Sequence, residues 1–197
     1  YHPIDPAAWT FIGRPGGKPV LTADLAEASG LSFNLTHTEG MVACAVTRGA
    51  EVGVDLEATD RRTDPLRLAR RFFATQEAGE LVSLPEADRQ TRFVEVWTLK
   101  EAAVKALGTG LRLPLDDCVF LDDGPGRLRF VQAQGWSSGH WHFALLAPTD
   151  RHRLAVAMLS PGAEPPPRVL AWRQPLARAG EVPPATSAFP DALRVRG

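Results

Sequence analysis

The sequence predicts an α+β fold, because its strand-type and helix-type segments are grouped. Three strand-type segments fall between residues 31 and 57. Helical patterns fill residues 65–107, and four further strand-type segments lie between 117 and 160.

Residues 1–30 are rich in Gly, Pro and Ala and carry weak periodicity. Residues 31–36 alternate, with Leu31, Phe33 and Leu35 on one face and Ser32, Asn34 and Thr36 on the other. Residues 41–47 form an apolar run bounded by Gly40 and Gly49, read as a buried strand paired with the first across a Glu39-Gly40 turn. Residues 51–57 place Val52, Val54 and Leu56 on one face and Gly53, Asp55 and Glu57 on the other. Asp64 followed by Pro65 predicts a capped helix reaching about Phe73. Thr75 is the expected cap of a short helix carrying Glu77, Leu81 and Leu84. The spacing Ser83-Leu84-Pro85-Glu86 is that of a capping box, opening a long helix that stops at Gly108. On it Phe93, Trp97 and Val104 fall within about 40° of one another, and Lys100 and Glu101 lie on or beside that stripe.

Strands then follow at 118–121, 127–132, 141–146 and 154–159, with a turn at 122–126. Eight of the 17 prolines fall in the last 37 residues. That stretch, 161–197, reads as a Pro-rich tail without its own core, in which Ala171, Trp172 and Leu176 are the residues able to dock on the body.

Composition narrows the function classes. A net charge of −1 gives no electrostatic reason to expect nucleic-acid or membrane binding. Cys44 and Cys118 are too few and too far apart for a disulfide framework or a CxxC zinc site. No run of 18 apolar residues and no signal-peptide pattern occurs, so the expected location is the cytoplasm. Of 22 basic residues only Lys18, Lys100 and Lys105 are lysines. Such retained lysines mark positions suited to a compact ammonium.

Asp55 and Glu57 project from one strand face, where two like charges repel unless a cation lies between them. Gly53 on the same face leaves room for a ligand. Few hard oxygen donors suit Mg²⁺ completed by water and phosphate. A solvated strand face is the commoner origin of such a pair taken alone. Glu101 and Lys105 face together one helical turn apart, either as a surface ion pair or as a carboxylate and an ammonium lining a cleft. His37 by itself reads as a bystander, and His140 with His142 as a polar strand face. Gly16-Gly17-Lys18 is followed by proline and is no phosphate loop. No GxSxG occurs.

Three blocks stand in one order: Phe33-Asn34-Leu35-Thr36-His37, Val52-Gly53-Val54-Asp55-Leu56-Glu57, and the stretch from Trp97 through Lys100 and Glu101 to Lys105. They resemble the signature blocks of Sfp-type 4′-phosphopantetheinyl transferases. Gly17-Lys18-Pro19 resembles the family's upstream block, and Arg71-Phe72-Phe73, Glu77 and residues 108–115 fill the family spacing. All three lysines fall inside these blocks.

The resemblance implies two similar α+β lobes related by a pseudo-twofold, with coenzyme A in the cleft between them. It implies a cytoplasmic, monomeric enzyme that moves the 4′-phosphopantetheine arm of coenzyme A to a serine of an apo acyl or peptidyl carrier protein. Mg²⁺ would be the cofactor and adenosine 3′,5′-bisphosphate the second product. Asp55, Glu57 and Glu101 are the metal ligands it implies, and Glu101, Lys105, Asp55 and His37 the catalytic set. Lys18, Pro19, Thr36, His37, Lys100 and Lys105 are the implied coenzyme A contacts. Residues 1–50 correspond to a remnant of the amino-terminal lobe and 51–160 to the carboxy-terminal lobe. Only 16 residues precede Gly17, where family members carry a longer lobe with further basic residues. Two other readings compete: a Mg²⁺-dependent phosphohydrolase, and a non-catalytic module binding coenzyme A or a carrier. Arg61, Arg62, Arg67, Arg70 and Arg71 form a basic stretch suited to an acidic carrier or to a solvated helix face.

Overall fold

A computed structural model describes residues 2–14, 17–108, 113–124, 127–132, 136, 138–162, 169–173, 187–188 and 193–195. Most of the Pro-rich tail, including Leu176, and residues 109–112 of the block after Gly108 lie outside the described residues.

The first thirty residues hold more order than their composition suggests. β1 (Phe11–Gly13) and β2 (Pro19–Leu21) pair antiparallel. α1 (Ala23–Ser29) follows and ends on Gly30 at φ 64°, whose N–H donates to the Ala26 carbonyl. β3 (Leu31–Thr38) and β4 (Met41–Arg48) form the expected hairpin, with Thr38 opposite Met41 and Gly40 at φ 78° in the turn, but β4 is not the buried strand expected: its residues alternate between half-buried and exposed.

The two faces of this hairpin are inverted relative to the hydropathy pattern. Asn34 and Thr36 are buried while Leu35 is 51% exposed. The reason is a bond between strands: the Asn34 side-chain oxygen accepts the Val54 N–H at 2.8 Å, so a polar side chain substitutes for a ladder bond against the next strand.

That strand, β5 (Glu51–Ala58), is the edge of the main sheet. α2 (Pro65–Phe72) is capped by the Asp64 carboxylate, which accepts the Arg67 N–H. α3 (Thr75–Ser83) begins with Thr75 inside the helix, and the Glu77 carboxylate, rather than the Thr75 hydroxyl, takes the free Ala74 N–H. α4 (Glu86–Leu107) has Pro85 at the capping position. Ser83 does not cap it, because Ser83 closes α3 and donates its hydroxyl to the Glu80 carbonyl. Gly108 ends α4 in the left-handed region at φ 67°.

β6 (Cys118–Asp122) and β7 (Leu128–Gln132) make a second hairpin, and β8 (His140–Thr149) and β9 (His152–Ser160) a third. Two short tail strands, β10 (Trp172–Arg173) and β11 (Ser187–Ala188), pair with each other, and β12 (Leu193–Val195) adds to β8. The main sheet runs β12-β8-β9-β5.

α4 lies on the sheet face formed by Gly53, Ala155, Ala157, Phe143 and Leu145. Small residues there bring the helix close. A Cβ on Gly53 would collide with the Ala102 carbonyl and the Ala106 nitrogen. The space beside Gly53, expected for a ligand, is therefore filled by helix backbone. One core gathers Leu99, Ala103 and Val104 with Phe120, Phe130 and Trp141. A second joins α2, α3 and α4 through Phe73, Leu81 and Phe93, with Phe73 and Phe93 stacked at 5.2 Å.

Candidate active site

Close contact between α4 and β5 sets the geometry of the site. Helical spacing puts Glu101 and Lys105 on one side of the Ala102–Ala106 seam, and strand alternation aims Asp55 and Glu57 at the same side. Lys105 Nζ stands 2.6 Å from Asp55 Oδ1 and 3.2 Å from Thr36 Oγ1. The Thr36 hydroxyl donates to Asp55 Oδ1 at 3.4 Å. Three elements that are distant in sequence thus meet at one carboxylate.

Burial pushes the Glu101 carboxyl above the ordinary glutamate range. Asp55 adds to the rise, Lys105 opposes it, and Glu57 adds a smaller part. Both strand carboxylates therefore act on the helix carboxylate. Glu57 also pairs with Arg61, Oε2 to Nη1, at 2.7 Å.

The donor set suits a hard divalent cation. Asp55 Oδ2 is buried and has no hydrogen-bond partner, as a carboxylate oxygen directed at a cation would be. Among the described residues, no three acid, His or Cys groups are drawn together tightly enough to form a ready-made metal cluster. In the structure, the Lys105 ammonium is what neutralises Asp55.

Two of the expected residues stand elsewhere. Lys100 is not at the cleft: its side chain is wholly buried and its ammonium meets Glu77 Oε2 at 2.7 Å, the Leu115 carbonyl at 2.8 Å and the Cys118 carbonyl. All three donors are used, so none remains for a phosphate. The physical reason is the apolar stripe itself, which carries Lys100 inward beside Phe73, 5.1 Å from its ring centroid. His37 is exposed and sits on the face of β3 opposite Thr36.

Lys18 donates to the Val52 carbonyl at 3.1 Å and the Ala106 carbonyl at 3.3 Å, and lies 3.7 Å from Glu51. It ties the end of α4 to β5. Burial lowers its ammonium below the usual lysine range, with Glu51 opposing the shift. Pro19 opens β2, half-buried. His142 is half-buried and its Nε2 has no hydrogen-bond partner. Burial and then the neighbouring His140 hold it below the usual imidazole range.

Sequence reasoning placed Glu77 only in a helix and in the family spacing. Its position three residues after Ala74 is the signal that it closes the turn entering α3. Asn34 was legible as a polar residue on an alternating strand and as part of the first resembling block, with no role assigned to it.

Residues 51–157 match the 4′-phosphopantetheinyl transferase superfamily. The 4′-phosphopantetheinyl transferase HetI of Nostoc sp. (strain PCC 7120 / SAG 25.82 / UTEX 2576) is 35% identical over 166 residues, covering 84% of this chain and 67% of that protein. The 4′-phosphopantetheinyl transferase Sfp of Bacillus subtilis (strain 168) is 32% identical over 115 residues, covering 58% and 48%. The chain thus spans about half to two thirds of the length of these relatives. A solved holo-(acyl-carrier-protein) synthase from Bacillus anthracis str. Ames, in complex with CoA (3′,5′-ADP), shares the fold. Its TM-score is 0.50 at 18% identity, over 57% of this chain and 96% of that one. By sequence match and by fold, this chain belongs to the 4′-phosphopantetheinyl transferase superfamily.

Proposed function

We propose that this chain transfers the 4′-phosphopantetheine arm of coenzyme A to a serine hydroxyl of an apo acyl or peptidyl carrier protein, with Mg²⁺, releasing adenosine 3′,5′-bisphosphate. The observation that carries this reading is the convergence of Asp55, Lys105 and Thr36 from three elements, with Glu101 beside them.

Asp55, Glu57 and Glu101 would hold the magnesium ion, which when bound supplies a Lewis acid for the diphosphate oxygens. Lys105 offers a point charge to a phosphate, at the cost of its present bond to Asp55. The Thr36 hydroxyl stands within reach of both Lys105 and Asp55 and can donate to a phosphate oxygen. Glu101, beside Asp55 and Lys105, is the group that accepts the serine proton directly or through one water.

The test incubates the chain with coenzyme A, Mg²⁺ and a panel of apo carriers and follows carrier mass. The expected result is a mass gain of one phosphopantetheine arm, and Glu101→Gln lowers the rate by about 10²–10⁴-fold. No loaded carrier from the unsubstituted chain, or an unchanged rate in Glu101→Gln, overturns the reading. Cleavage of coenzyme A without loading would instead identify a phosphohydrolase.

A further inference from the structure

Lys100 and Glu101 are neighbours on α4, yet their side chains leave the helix about 100° apart. One enters the core and the other enters the site. The Lys100–Glu77 pair is buried, with the two residues 0% and 3% exposed. It is also saturated. Glu77 Oε2 takes the Lys100 ammonium and the Ala74 N–H, and Oε1 takes the Phe120 N–H at 2.8 Å. Lys100 adds the carbonyls of Leu115 and Cys118. Five segments therefore converge on one ion pair: the turn before α3, α3 itself, the segment at Leu115, the start of β6, and α4.

A buried pair of this kind is weak evidence for stability, because its desolvation offsets much of the attraction. What it does supply is direction. On α4, Ala102 and Ala106 press on β5 at roughly 200–240° from Lys100. The Gly53 contact fixes how near the helix sits. It leaves rotation about the helix axis to be set from the far side, where Lys100 is held at three points. Glu101 and Lys105 lie between these two anchors.

We infer that the Lys100–Glu77 pair is a positioning device that fixes the rotation of α4 and so aims Glu101 into the site. The inference rests on the transferase reading. Lys100 touches no substrate in it and acts only through Glu101.

The experiment uses the full chain and three substitutions: Glu77→Asp, which keeps the charge but draws the carboxylate back by one methylene; Lys100→Met; and Phe130→Leu, a destabilising control in the core between α4 and the sheet. Folded fraction is read by circular dichroism, coenzyme A affinity by calorimetry, and kcat and KM by carrier loading. Glu77→Asp and Lys100→Met should lower kcat per folded molecule by about 10–100-fold with KM for coenzyme A changed less than about twofold. Phe130→Leu should melt earlier but keep kcat. An unchanged kcat per folded molecule in both clamp variants, with lower stability alone, overturns the inference, as does a raised KM with kcat intact, which would make Lys100 a ligand. Loss of kcat in Phe130→Leu equal to theirs overturns it too. If the unsubstituted chain loads no carrier, the transferase reading itself fails. If it loads and the clamp variants match it, only the positioning role fails.

Discussion

The carbonyl oxygen of Ala102 occupies the place where a methyl group on Gly53 would stand, so α4 and β5 meet main chain against main chain. Backbone atoms cannot turn aside as a flexible side chain can. Gly53→Ala should therefore cost about 3 kcal/mol or more, at or beyond the upper end of overpacking penalties. Thermal or urea denaturation measures it. A variant as stable as the parent would show that the helix does not rest on this strand.

Lys105 reaches Asp55 and Thr36 with one compact ammonium. An arginine there keeps the charge but adds length and a planar fork that the Thr36–Asp55 geometry does not match. Lys105→Arg should weaken coenzyme A binding by about tenfold, in the range of one charge-assisted hydrogen bond. Calorimetry with coenzyme A decides this, and equal affinity would remove Lys105 from phosphate contact.

Asp55 offers one oxygen to Lys105 and has the other buried without a partner. Chelation with EDTA should abolish carrier loading, and added Mg²⁺ should restore it. In Asp55→Asn the Mg²⁺ needed for half-maximal rate should rise by about tenfold or more, since a charged ligand becomes a neutral one. A rate indifferent to chelation would rule the metal out of the reaction.

The Cys118 thiol is pushed up to about 12, chiefly by burial. An unfolded thiol titrates near 9. Between those values the folded state keeps a proton that the unfolded state has lost, so stability falls as pH rises through this window. From pH 8 to pH 10 the expected loss is about 1.4 kcal/mol. Urea midpoints at the two pH values measure it, and Cys118→Ala should flatten the slope. A slope equal in that variant would assign the effect to another group.

Much of this architecture could be read from the chain itself, and the exceptions share a cause. Periodicity located β3 to β9 and the long helix, because Val52, Val54, Phe93 and Trp97 fall at strand and helix spacings. It did not show which side of β3 is inner, because Asn34 is buried by a bond to Val54, a partner twenty residues away. The family resemblance, not the periodicity, put Lys100 among the phosphate contacts; the helical spacing had it on or beside the apolar stripe. Only the approach of Glu77, across the turn into α3, makes a buried ammonium tolerable. The early strands and α1 were hidden in Gly- and Ala-rich sequence with too few apolar residues to mark a period. Local pattern reveals elements, while long-range polar partners decide where the charged groups go.

The inverted hairpin also has a consequence for self-association. Leu35, Val42 and Val46 turn an oily side to water, with Val42 59% exposed. Greasy surfaces of this sort make molecules stick to each other as stocks are concentrated. A charge placed at Val42, across the ladder from His37, should therefore lower self-association at high concentration.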